Sequence, residues 1–196
     1  MSLKNSISTS DYLPYDEYKR LLAALHDDKE FLFELFATLG FCTACRVSDL
    51  LQFRWSDVVC TPTMKVTEQK TGKTRNIPLN KNVQARILDL YRKLGSPDLN
   101  NLVFDSPAKP GQAMTRQHIN QMLKVFKRRY NIQINNFSTH TFRKTFGRYV
   151  YENNNRSPES LMLLNKIFRH ANHETTLRYI GITQDEINKV FDSIKI

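Results

Sequence analysis

The chain has 196 residues, with 29 Lys plus Arg against 19 Asp plus Glu and a formal net charge of +10. That length suits one domain, or at most two small ones, and buries a core without staples. The basic balance favours an anionic partner, nucleic acid first, and no apolar run or leader segment argues for a membrane or secretory chain.

Residues 1–11 are polar and Ser-rich and read as an arm or linker before a domain over 12–196. Pro14 suits a helix start, and Tyr15–Asp28 follows with Tyr18, Leu21, Leu22 and Leu25 at helical spacing. A more apolar helix is expected over Lys29–Gly40, with Phe31, Leu32, Leu35, Phe36 and Leu39 inward and Gly40 as its stop. Cys42, Cys45 and Cys60 form no even framework, and Cys42-x-x-Cys45 lacks the second pair a zinc site needs. This cysteine usage fits a reducing cytosol.

The block Thr43-Ala44-Cys45-Arg46-Val47-Ser48-Asp49-Leu50 places Arg46 at the opening of an apolar helix. A cation there opposes the helix dipole. Either it pairs with Asp49 one turn on, or an anion docks at the same end. Met64–Lys70 then reads as a strand, Thr71-Gly72-Lys73 as a turn and Thr74–Leu79 as the returning strand. Lys70, Lys73 and Arg75 are by default its solvated charges.

Asn82–Leu94 is a helix with Val83, Ile87, Leu90 and Tyr91 as its apolar stripe, broken by Gly95-Ser96-Pro97. Leu102-Val103-Phe104 is a short buried segment, and Lys109-Pro110-Gly111 a turn. Thr115 caps a helix running to about Tyr130, with Ile119, Met122, Leu123 and Phe126 on its core face. Lys124, Lys127, Arg128 and Arg129 suit the dipole at its end. Arg116 and Gln117, in its exposed first turn, are better placed for phosphate contacts.

The stretch Ser138–Tyr179 is the richest in chemistry. Ser138 or Thr139 caps a helix over His140–Tyr151, which carries His140 and Arg143 three apart on one face. That pairs a proton acceptor with an anion-binding fork. Pro158–Arg169 forms the next helix, with Leu161, Leu163, Leu164 and Phe168 inward, and His170 stands near its end. Tyr179 falls on a short helix over Glu174–Ile180, and Thr183–Ile196 forms a last amphipathic helix with Ile187, Val190, Phe191 and Ile194 apolar. His170-x-x-His173 could pair on a metal, but no acidic cluster accompanies it.

Together, His140-Thr141-Phe142-Arg143, Phe168-Arg169-His170 and Tyr179 nine residues after His170 resemble the H-x-x-R and L-G-H-x8-Y signatures of the tyrosine recombinase (phage integrase) family. The upstream block around Arg46 resembles that family's T-G-[LI]-R-[IV]-S-E motif, and Lys70-Thr71-Gly72 its hairpin lysine. The resemblance spans about Tyr12 to Ile182. It implies a mainly α fold with a small antiparallel β-hairpin or sheet (α+β), and catalytic roles for Arg46, Lys70, His140, Arg143, His170 and Tyr179. Asp49 is then the acidic support of Arg46, Lys73 the rival to Lys70, and Arg116, Gln117, Lys73 and Arg75 are DNA contacts. Three departures stand out: Ala44 and Arg169 where the family has Gly, and Lys144 after the second Arg where His is frequent.

What the resemblance implies is site-specific recombination or integration of double-stranded DNA through a 3′-phosphotyrosyl intermediate, with no metal or other cofactor. It further implies a cytoplasmic protein of a bacterium, phage or mobile element, a tetramer on DNA in full-length form and a monomer as an isolated domain. The family's N-terminal core-binding domain finds no room in 196 residues. The reading from another class is a catalytically silent DNA-binding accessory module.

Overall fold

The computed structural model describes residues 10–59 and 61–182, together with Asp192 and Ile194. The helix expected over Thr183–Ile196, the start of the arm and Cys60 therefore lie outside the described residues. The fold is mainly helical with two antiparallel two-stranded sheets. None of the described helices is long and apolar enough to cross a membrane.

Helix α1 (Tyr15–Asp27) buries Tyr18, Leu21 and Leu25, the stripe its spacing predicts. Helix α2 (Phe31–Thr43) is buried almost all round, because α1, α5 and α7 pack on its different sides. Gly40 does not stop it. A β-carbon there would sit 3.0 Å from Phe142 Cβ, so Gly40 is the point where α2 and α7 touch closely. The helix ends instead at Ala44, which takes the left-handed conformation with φ 50, the conformation that favours glycine. Inside α2, Glu34 is fully buried and held by Arg86 and by His26 Nδ1 at 2.9 Å.

Two one-turn helices, α3 (Val47–Leu50) and α4 (Trp55–Val58), lead into the first hairpin. Strands β1 (Thr63–Thr67) and β2 (Thr74–Pro78) pair with Val66 opposite Arg75 and Met64 opposite Ile77. Met64 and Val66 face the core, so Arg75 points inward with them. The turn is longer than expected: it runs from Glu68 to Lys73, closed by Glu68 N–H donating to Lys73 O at 3.1 Å. Lys70 thus lies in the turn rather than on a strand.

Helix α5 (Lys81–Lys93) is capped by Asn80. Lys109-Pro110-Gly111 is not a turn but the start of strand β4 (Lys109–Ala113), which pairs through a bulge with β3 (Asp105–Ser106). Most of β4 is exposed, so no apolar alternation marks it in the sequence. Thr115 caps α6 (Arg116–Arg129) as expected, its side chain accepting from His118 N–H. Helix α7 (Thr141–Asn153) has His140 itself at its N-cap, without a side-chain cap from Ser138 or Thr139. Helix α8 (Pro158–Phe168) follows, then α9 (His173–Tyr179). Leu163 was expected inward on α8 but is 57% exposed; Leu164 and Phe168 carry the packing.

Two apolar clusters result. The larger joins α1, α2, the first hairpin, α5 and α6 with Phe142 of α7. The smaller contains Ala44, Leu164, Phe168 and Ile180, with Phe146 and Tyr179 against it. Gly147 lets the second cluster close. A β-carbon at this position would lie 2.7 Å from both Phe168 Cζ and Ile180 Cγ2, so the missing side chain allows the ends of α8 and α9 to reach α7. Arg143 and Tyr179 sit along that seam.

Candidate active site

The residues of interest come from four places: the loop after α2, the turn of the first hairpin, the start of α7, and the segment from the end of α8 to the end of α9. Arg46 stands at the N-cap of α3. It does not pair with Asp49. Its Nη1 donates to Glu68 Oε2 at 2.8 Å and its Nη2 to the Phe168 carbonyl at 3.3 Å. Asp49 is buried and spends one oxygen on the backbone of the turn, accepting from Gln69 N–H at 3.0 Å. Its support of Arg46 is therefore indirect, through the segment that carries Glu68.

Glu68 is the organising anion, though no sequence motif singles it out. Its side chain is 1% exposed and faces three guanidiniums: Arg46, Arg169 at 3.3 Å and Arg75 at 3.6 Å. Thr71 Oγ1 donates to it at 3.0 Å. Burial pushes the Glu68 carboxyl up, but the hydrogen bonds from Arg46 and Thr71 and the charges of Arg46 and Arg169 outweigh this and leave its pKa lowered. The signal was present in the alternation, since residues 64, 66 and 68 share the inward face.

Arg75 corrects a sequence expectation. Its guanidinium donates to the Thr43 carbonyl and Cys45 Sγ, both at 3.2 Å, and to the Ile167 carbonyl at 3.5 Å. Tied behind the hairpin, with 15% of its side chain exposed, it braces the site and is not a solvated charge of the hairpin. Lys73, by contrast, is exposed.

Arg143 is 3% exposed. It donates to the Ala44 carbonyl and, through Nη2, to the Phe168 carbonyl at 3.2 Å. The left-handed ends of α2 and α8 thus aim two carbonyls at it, and its guanidinium lies 4.7 Å from the Phe168 ring centre. Both Arg46 and Arg143 converge on the Phe168 carbonyl. Each guanidinium has five N–H groups, so each keeps donors free for a ligand.

Arg169 caps α8 with φ 54 and ψ 48, a left-handed residue where the family pattern has Gly. His170 follows, its Nδ1 3.1 Å from Thr176 Oγ1. Its ring packs edge-on to Tyr179 at 5.0 Å between centres. Tyr179, in the last position of α9, also touches the Phe168 ring at 5.1 Å. The Lys144 ammonium lies 5.1 Å from the Tyr179 ring centre and donates to the Ser10 carbonyl. The Tyr179 hydroxyl is buried and faces the Arg143 guanidinium, which favours its ionised form.

These side chains meet in one cavity of about 300 Å³, lined by Arg46, Lys70, His140, Arg143, His170 and Tyr179, and also by Arg169. Lys73 is not on its wall. Two larger clefts, about 830 and 690 Å³, flank residues 131–138 and the N-terminal arm, and neither gathers this set. Burial first, then the charges of Arg143 and Arg46, hold the His170 pKa down at about 4. His140 is lowered by burial, then by Arg143, Arg116 and Lys144. Both imidazoles are thus neutral at pH 7. Burial raises the Tyr179 pKa, and the Arg143 charge opposes it. Such a site suits an oxyanion held by guanidiniums, beside a phenol and a neutral imidazole able to take its proton. Arg116 and Gln117 stand exposed at the start of α6, close enough for the Arg116 charge to be felt at His140.

The sequence model of the phage integrase family matches residues 11–186. The chain is 28% identical over 169 residues to a Bacillus subtilis (strain 168) protein described as "Probable integrase/recombinase YoeC", covering 86% of each chain. It spans about half to three fifths of the length of further curated relatives, tyrosine recombinases among them. Among solved structures, the fold resembles XerA recombinase (TM-score 0.71, 20% identity, 100% of this chain and 68% of that one). It also resembles XerH site-specific recombinase bound to its difH substrate (TM-score 0.69, 16% identity, 99% and 57%).

Proposed function

We propose that this chain, which belongs to the phage integrase family, carries out site-specific recombination by cleaving and rejoining double-stranded DNA through a covalent 3′-phosphotyrosyl intermediate. The observation that carries the reading is the single cavity lined by Arg46, Lys70, His140, Arg143, His170 and Tyr179. Its volume, about 300 Å³, leaves room for a phosphodiester group.

Each role follows from the chemistry of the group. Tyr179 Oη attacks phosphorus; a phenol with a raised pKa needs a base at neutral pH, and His140, neutral and beside the cavity, takes the proton. Negative charge grows on the non-bridging oxygens as the pentacoordinate state forms. Arg46 and Arg143, fixed by Glu68 and by helix-end carbonyls, are pre-oriented to receive it. His170 donates a further hydrogen bond through Nε2 in the tautomer whose Nδ1 accepts from the Thr176 hydroxyl, 3.1 Å away. The leaving O5′ takes its proton from Lys70. The phosphotyrosyl bond conserves the energy of the broken linkage, and attack by a 5′-hydroxyl reverses the sequence on a second strand.

Arg116, Gln117 and Lys73 serve as the flanking DNA contacts in this reading. Residues 12–196 act as the catalytic domain, cytoplasmic in a bacterium or mobile element, and a homo-tetramer on DNA as the working assembly. The resemblance to a recombinase solved on its DNA substrate supports the partner. A nicked suicide duplex separates this from a silent binding module. Wild type should accumulate a protein–DNA adduct on a denaturing gel, and Tyr179→Phe should bind the same duplex without forming one. An adduct that persists in Tyr179→Phe, or none with wild type on its cognate site, overturns the reading.

A further inference from the structure

Lys70 has nothing of its own to hold it. It is exposed and makes no hydrogen bond or ion pair among the described residues. Its reach into the cavity therefore depends on what fixes its neighbours in the turn. On one side, Gln69 N–H is held by Asp49. On the other, Thr71 Oγ1 lies 3.1 Å from Arg169 Nη1, and the same nitrogen lies 3.3 Å from Glu68 Oε2. Thr71 and Glu68 are themselves 3.0 Å apart, so the three side chains close a small ring just behind Lys70.

Arg169 is an unusual residue to find at that post. It occupies a left-handed helix end with φ 54, where a β-carbon is unfavourable and glycine is the common choice. Its side chain spans from the α8 end, which aims Phe168 O at both catalytic arginines, to the hairpin turn. It is the only residue of the α8–α9 connection for which a hydrogen bond to turn 68–73 is found among the described residues.

We propose that Arg169 is a positioning residue for the leaving-group step: it latches the turn that carries Lys70 onto the end of α8, setting the Lys70 ammonium over the departing oxygen. This rests on the reading of Lys70 as the general acid. In that step the Tyr179 Oη–phosphorus bond forms while the phosphorus–O5′ bond breaks. The phenolic proton passes to His140, and the Lys70 proton passes to O5′, leaving a neutral amine that water reprotonates.

The test uses the full chain and two suicide duplexes, one with the natural oxygen and one with sulfur at the bridging 5′ position. A thiolate departs without a proton, so sulfur removes the need for the acid but not for the arginines, the base or the nucleophile. Arg169→Gly should slow adduct formation on the oxygen substrate by at least about tenfold, a part of the roughly 10²–10⁴-fold that general acid–base catalysis typically contributes. On the sulfur substrate it should run within about twofold of wild type, and Lys70→Ala should show the same rescue. Glycine suits the backbone at 169, so folding is retained; Thr71→Val, which removes the other half of the latch, should show the same pattern more mildly. Adding Arg169→Gly to Lys70→Ala should cause no further loss. Equal slowing of both substrates by Arg169→Gly, or no slowing of either, overturns the latch while leaving Lys70 as the acid. A Lys70→Ala defect that sulfur does not relieve removes the reading of Lys70, and the latch with it.

Discussion

At the scale of single residues, the site depends on how its charges are compensated. Glu68 is one buried carboxylate shared by Arg46, Arg75 and Arg169. Glu68→Gln keeps the shape and removes the charge, leaving three clustered cations. Unfolding by urea should show a loss of about 3 kcal/mol, the low end for breaking a buried pair, because the arginines keep some solvent access. The two histidines give a pH signature. With both pKa values held below the free value of 6.5, that of His170 at about 4, the acid-side fall in adduct formation should have its midpoint below pH 6.5. Stability follows the same sign: below pH 6.5 the unfolded chain binds protons that the folded one refuses, so stability is lost as pH falls from about 6.5 towards 4. His170→Gln should flatten part of that loss in thermal melts. Arg46, His140, Arg143, His170 and Tyr179 were singled out by the family resemblance, not by spacing alone, and the fold brings them to one cavity. Glu68 was not, because a lone glutamate at a strand end reads as solvated until the strand's inward face is followed one step further.

At the scale of elements, the seam between α7 and the α8–α9 pair sets the geometry, and Gly147 sets the seam. Gly147→Ala puts a methyl group 2.7 Å from Phe168 and Ile180. The expected cost is about 1–3 kcal/mol of stability from overpacking, with a disproportionate fall in adduct formation, because Ile180 adjoins Tyr179 and Phe168 supplies the carbonyl bound by both arginines. Urea midpoints beside suicide-substrate rates check both parts. Helices with clear apolar stripes, such as α1, α5 and α6, were readable with boundaries close to those found. Long-range closeness was not: Gly40 looked like a stop signal and is a contact point with Phe142. The second hairpin was missed because its exposed strand β4 carries no alternation. Arg75 turns inward where a solvated charge was expected for a related reason: its facing partner Val66 is visible only once register is known.

At the scale of the molecule, the formal charge of +10 predicts DNA binding that weakens steeply with salt. Arg116→Ala should lower the slope of log affinity against log salt by about one, with little change in sequence preference, as expected for a phosphate contact; filter binding across a salt series measures it. The overall class followed from helical periodicity and motif order, whereas the joining of four distant segments at one cavity did not. Among the described residues, Arg143 is steadied by carbonyl oxygens and aromatic rings and has no carboxylate within ion-pair distance, although it is buried. Its full positive charge is thus left for a guest to neutralise, and a tetrahedral oxyanion entering there acts as a missing counterion. The protein should therefore melt at a higher temperature in sulfate than in chloride at matched ionic strength, with the gain reduced in Arg143→Gln.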